Sequence, residues 1–313
     1  MRLSAFLLPA FVLVASPLGA VDARAAACCG GTSAAPSLIS GDDAYQFGIA
    51  FSNAEVIGDA PESGRPVFRG SDSDEVTRTL RLDAAAILSD RTQASVTIPF
   101  ATKSVRAGDA ANSSSSMGDL SLGFGYEAWP QWTYSEWKPH GFLFTQLNVP
   151  VAHSIYDTEA QGATDALGTG FYRMAFGALF LKTWRIWDAS FTPEAHYSLP
   201  KTFSDGSGSA LRVRPGFGAS ADLGLGYNFV GLPFRLGVRL QPVWNQARAI
   251  AMDGMNPRSS DQWVWNAGFD FSYLVSEQWS TTASYTDQTL LGPAVNTTLS
   301  RTVALSFQRR FPR

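Results

Sequence analysis

From Tyr45 to the C-terminus, apolar residues recur at every second position in segment after segment, and no other feature limits the fold as tightly. Over 119–127, Leu120, Leu122, Phe124 and Tyr126 alternate with Asp119, Ser121, Gly123, Gly125 and Glu127. A side-chain period of two puts one set on each face of an extended strand. The alternation is clearest over 211–228, where Val213, Phe217, Ala219, Ala221, Leu223, Leu225 and Tyr227 oppose arginine, glycine, serine and aspartate. A soluble sandwich would alternate too. Here the segments come in pairs, joined by short turns at one end and long polar loops at the other, as in a transmembrane barrel.

Read one at a time, the segments number about twelve: 44–52, 76–88, 93–103, 118–127, 141–150, 169–183, 188–200, 211–228, 233–246, 262–275, 278–288 and 298–311. The segment 141–150 is the least regular, because both its faces are apolar. Long polar loops are expected over 53–75, 106–117 and 151–168. Backbone groups left unpaired in lipid cost several kcal/mol each, so a sheet of this size must close. The fold expected is all-β: an antiparallel transmembrane β-barrel of about 12 strands, spanning 44–313. Tryptophans fit this layout. Trp129, Trp132, Trp137, Trp184, Trp187 and Trp279 fall at the short-turn ends, while Trp244, Trp263 and Trp265 fall at the long-loop ends. Two interfacial girdles are what a barrel shows.

An export signal precedes the barrel. Met1 and Arg2 lead into an apolar run from Leu3 to Val14 and beyond, and Ala25-Ala26-Ala27 forms an A-x-A-type cleavage site. The run contains Pro9 and Pro17 and is shorter than the ~20 residues of a membrane helix. Residues 1–27 are therefore read as a signal peptide and 28–43 as a short periplasmic tail. Cys28 and Cys29 follow the cleavage site directly. Cys28 is a candidate for lipidation, against the plainer reading of a reduced or intermolecularly paired dipeptide.

Composition narrows the function. Removing Arg2, Asp22 and Arg24 with the leader leaves 22 basic residues against 26 acidic. No basic cluster suits nucleic acid. Charged residues make up 16% of the chain, well under the ~25% of ordinary soluble proteins. An apolar outer wall around a Gly-, Ser- and Thr-lined interior accounts for that. No metal, nucleotide or haem motif is present, and no cofactor is expected.

The C-terminal stretch Thr302-Val303-Ala304-Leu305-Ser306-Phe307-Gln308-Arg309-Arg310-Phe311 resembles the final strand by which outer-membrane barrels are recognised for assembly, although Pro312 and Arg313 follow the aromatic residue. The Gly-Asp-Leu-Ser-Leu-Gly-Phe-Gly-Tyr stretch at 118–126 and the barrel length resemble the porin-like proteins of the phenol-degradation meta-pathway family and, more distantly, FadL-type channels. The resemblance implies a bacterial outer-membrane location, with membrane lipids and the barrel assembly machinery as partners. FadL-type channels carry a long N-terminal plug, and the 28–43 tail is too short to be one.

The candidate site residues are the charges on the inward parity. Arg212, Arg214, Arg235 and Arg239 fall on one face of two neighbouring strands, with Arg81 and Arg173 on others. Asp83, Asp119, Glu127, Glu194, Asp222 and Asp270 are the available counter-charges. Rings of charge set pore selectivity; equally, these groups can pair and fill a narrow barrel. His196 shares a face with Glu194 and Ser198, but a spacing of two along one strand suggests ~7 Å between side chains, too far for direct relay. No catalytic residue is assigned. The leading expectation is a passive channel for a small solute. The alternatives are a structural or surface-recognition barrel with a sealed lumen and, behind it, a barrel-borne hydrolase.

Overall fold

A computed structural model describes residues 36–70, 72–204, 210–251 and 259–313; the leader, Cys28 and Cys29 lie outside the described residues. The wall consists of twelve antiparallel strands. They are β1 (Asp43–Ala60), β2 (Ser73–Ile87), β3 (Thr92–Ala107), β4 (Leu120–Trp129), β5 (His140–Val149) and β6 (Arg173–Trp184). The other half comprises β7 (Trp187–Ser198), β8 (Gly216–Asn228), β9 (Phe234–Asn245), β10 (Gln262–Leu274), β11 (Trp279–Asp287) and β12 (Thr297–Pro312). Each strand pairs with its neighbour in sequence, and β12 returns to β1 in register from Asp43↔Pro312 to Ala60↔Thr297. No edge is left to face lipid.

Parity follows the sequence. On β1, Tyr45, Phe47, Ile49 and Phe51 are exposed on the outer face, while Gln46, Gly48, Ala50 and Ser52 face inward and are partly covered. Lateral register builds the outer belt: Leu305, Phe51, Leu80 and Phe100 stand side by side on four adjacent strands. In the next row, Asn53, Arg78 and Thr102 on β1 to β3 are polar, while Val303 of β12 stays apolar. On β1 to β3 the belt therefore ends between those two rows, and these strands project beyond it.

That projection differs from the loops expected at 53–75 and 106–117. β1 runs on to Ala60, and Ala110–Met117, with its four serines, is a strand paired to the upper half of β3 from Ala107↔Ala110 to Phe100↔Met117. A polar, low-complexity stretch gives no period-two hydrophobic signal, because neither of its faces lies against lipid. The eighth strand also begins later than read, at Gly216 rather than 211. Pro215 has no N–H to donate, and Gly216 takes φ +79°, a left-handed conformation suited to glycine. Residues 210–214 turn away there and join 201–204 and 249–251 in a small three-stranded sheet above the wall.

Above the wall the loops pack into a cap. Phe171, Phe203 and Val213 are buried together against Tyr156, Leu211 and Ile250. Asp119, the acid of the Gly-Asp-Leu stretch, fastens the 150–172 connection to the start of β4. It accepts hydrogen bonds from the Val151 N–H at 3.3 Å, the Thr169 N–H at 2.7 Å and the Thr169 hydroxyl at 2.8 Å. Further along that loop the Thr158 hydroxyl and the Glu159 N–H bond Asp165 and hold its carboxyl below the usual aspartate range, the Thr158 bond contributing most.

Candidate solute path through the barrel

The two apolar faces of β5 have a structural cause. Leu143 and Leu147 face outward, while Phe142 and Phe144 are buried inside, where they meet Leu179 and Leu181 of β6 and Leu38 from before β1. Residues 36–39 thus lie within the barrel, in the half nearer the short turns. Gln93 of β3 grips them: the Ile39 N–H donates to Gln93 Oε1 at 2.6 Å, and Gln93 Nε2 donates to the Ile39 carbonyl at 3.2 Å. Gln46 Nε2 reaches the Ser37 hydroxyl at 3.2 Å. The wall makes room with two glycines of β4. A Cβ on Gly123 would stand 2.5 Å from Pro36 Cβ, and one on Gly125 would stand 2.5 Å from Leu38 Cδ2. Short as it is, the tail's described residues 36–39 occupy the lumen.

The charged residues separate into paired and unpaired groups. Near the short turns, Arg235 is held by Asp188, with Nη2 to Oδ1 at 2.7 Å and Nε to Oδ2 at 2.8 Å, and by Asp270 on its other side. Asp188 also accepts from Asn228 Nδ2 at 2.8 Å. Higher up, Arg239 approaches Asp222 at 3.7 Å, and across the lumen Arg81 donates to Asp83 at 2.9 Å while the Thr97 hydroxyl donates to the same carboxylate at 2.6 Å. Glu127 pairs with His140 at 2.7 Å by the turn after β4.

Arg212 and Arg214 do not join Arg235 and Arg239. Both are exposed on the small sheet above the wall, alternating with the fully buried Val213. The 211–228 alternation ran unbroken in sequence and concealed the turn at Pro215-Gly216. Distances along a strand also differ from the sequence reading. His196 Nδ1 stands 3.3 Å from Glu194 Oε1, because long side chains two residues apart lean along the strand and meet. His196 Nε2 is 3.1 Å from Asn245 Oδ1. Both its contacts are therefore to a carboxylate and an amide.

Above this pair lies a cavity of about 320 Å³, bounded by β6, β7, the top of β9 and the 150–172 loop. Arg173, His196, Asn245 and Arg248, with Thr169 and Ser198, supply its polar lining, and Tyr156 and Phe171 part of its apolar lining. Arg248 Nη1 donates to the Tyr156 hydroxyl at 3.1 Å. Arg173 Nε is buried without a hydrogen-bond partner among the described residues. Arg248, Gln93, Gly123, Gly125 and Leu38 were not singled out from the sequence. The usable signal was the Leu38-Ile39 pair in an otherwise polar tail, together with a strand, 141–150, that needed an apolar partner inside.

No family model matches the chain, and no curated protein matches it. Solved structures do. A crystal structure of an outer membrane channel from Pseudomonas putida F1 aligns at TM-score 0.66 with 17% identity, over 86% of this chain and 96% of that one. A mutant of the TodX monoaromatic hydrocarbon channel aligns at 0.45 with 11% identity, over 86% and 91%. The transport unit of the autotransporter AIDA-I from Escherichia coli aligns at 0.47 with 8% identity, over 86% and 90%. Together with the closed sheet and its apolar belt, the first of these likenesses gives the fold: a closed antiparallel β-barrel similar to that of an outer membrane channel.

Proposed function

We propose that this outer-membrane barrel is a passive channel for small solutes, closed from the periplasmic side by its own residues 36–39. One observation carries the reading. The obstruction in the periplasmic half is an irregular segment, gripped by Gln93 and by Leu38 among four apolar side chains, not a continuation of the wall. Such a segment can leave without breaking a strand pairing. Elsewhere the interior face carries small and polar residues such as Ser52, Ser190 and Gly224.

A sealed structural barrel is the competing reading, and the closed ion pairs of Arg235 and Arg239 favour it. Planar bilayers separate the two. A channel gives discrete current steps, and a variant lacking residues 36–39 gives larger or longer ones. Absence of current from both proteins, correctly assembled, would leave only the sealed barrel. The cap of packed loops above the lumen makes the solute a small one under the channel reading; its identity is addressed next.

A further inference from the structure

We propose that the cavity at the extracellular end of the lumen recognises a small carboxylate with an apolar body, through Arg173 and Arg248. This deepens the channel reading, since the site sits at the mouth of the same lumen. The argument begins with charge balance. Arg81, Arg235 and Arg239 each face an aspartate on the barrel wall. Arg173 and Arg248, by contrast, have no carboxylate within ion-pair distance among the described residues, yet both line one cavity.

Burying part of a guanidinium without a counter-charge is unfavourable, and an entering anion relieves that. The neighbouring carboxylate, Glu194, lies below the cavity floor, 3.3 Å from His196 but with neither of its oxygens hydrogen-bonded among the described residues. A ligand anion is therefore drawn to the two arginines and repelled from the level below. Two features favour a carboxylate over a bare inorganic anion. A planar guanidinium fork matches a carboxylate's two oxygens. The rings of Tyr156 and Phe171 flank the arginines and offer an apolar surface that an inorganic anion would leave unused. The size fits as well: about 320 Å³ lies at the small end of ligand sites. The Tyr156 hydroxyl bonds Arg248 and orients it over this space.

Benzoate is a suitable probe, with benzamide as its neutral isostere and inorganic phosphate as the bare anion. Calorimetric titration of the full protein in detergent should show benzoate binding at least tenfold tighter than benzamide or phosphate. Arg173→Gln/Arg248→Gln should weaken benzoate at least tenfold. Arg212→Gln/Arg214→Gln, with the same change in net charge on exposed side chains, should leave it within twofold. Arg248→Gln alone, in a loop, keeps the test valid if the Arg173 variant fails to assemble, and should itself weaken benzoate severalfold. Equal affinity for benzoate and benzamide, phosphate binding as tight as benzoate, or equal effects from the two double variants would overturn the proposal. Because binding is read without flux, a barrel that binds benzoate yet passes no current upholds this site and refutes the channel. A conducting barrel that ignores benzoate does the reverse.

Discussion

Truncating Leu38 to alanine should unlatch the N-terminal segment while leaving the barrel intact. Leu38 is 6% exposed and packs on Phe142, Phe144, Leu179 and Leu181. Ordering the backbone of residues 36–39 costs about 1–2 kcal/mol per residue, hence about 4–8 kcal/mol in all. Burial of the Leu38 and Ile39 side chains returns about 1.5–3 kcal/mol each. The two Gln93 hydrogen bonds add about 0.5–1.5 kcal/mol each. The docked and released states therefore lie within a few kcal/mol of each other. Leu→Ala in a packed site typically loses about 2–5 kcal/mol, and every ~1.4 kcal/mol is a factor of ten in the equilibrium. Release should become more populated by well over an order of magnitude. Single-channel recording would show this as a rise in open probability at unchanged unit conductance. Leu143→Ala, which faces lipid from the same strand as Phe142 and Phe144, should have no such effect. If Leu38→Ala, Gly125→Leu and removal of residues 36–39 all record like the parent protein, the segment does not stand in the path.

Three further outcomes follow from the wall and the cap. Arg235→Gln leaves Asp188 and Asp270 buried without their shared cation, so assembled protein should melt markedly lower, in line with the ~3–5 kcal/mol of a broken buried pair; an unchanged melting temperature would mean those pairs do not hold the wall. Leu223→Arg, facing lipid, should impair assembly by about 2–4 kcal/mol, whereas Gly224→Ser meets only the Ser190 hydroxyl and should assemble normally; equal damage would contradict the parity of β8. The depressed carboxyl of Asp165 gives the 158–165 loop a pH dependence: its contribution is present above the ordinary aspartate range and fades as pH falls through the lower folded value. Hydrogen exchange in that loop should speed up on acidification in the parent protein, and an Asp165→Asn variant should show no such change.

The wall was legible because lipid imposes a strict period of two on every strand that crosses it. Leu223 against Gly224, or Phe269 against Asp270, needs no structure to interpret. Legibility stopped where lipid stops. The serines of 113–116 pair as a strand above the belt, and Arg212 and Arg214 continue an alternation that belongs to a separate sheet beyond Pro215. Interior contacts were hidden for a different reason. Whether Arg235 meets Asp188, or Arg173 Nε finds no hydrogen-bond partner among the described residues, depends on strand register and side-chain lean, neither of which a single strand's pattern encodes. The lodged tail left a trace only in the doubled apolar face of 141–150.

Whether the lumen is the route for solute is decided most directly by blocking it from within. Gly224 faces the interior midway along β8, beside Ser190 and Arg239, and Leu223 next to it faces lipid. Gly224→Trp and Leu223→Trp add one aromatic side chain of the same size on opposite sides of the wall. Recorded in planar bilayers in the variant background lacking residues 36–39, Gly224→Trp should abolish or sharply reduce the current while Leu223→Trp conducts like the parent. Equal currents from both, with both proteins assembled, would show that ions do not pass through this barrel's interior.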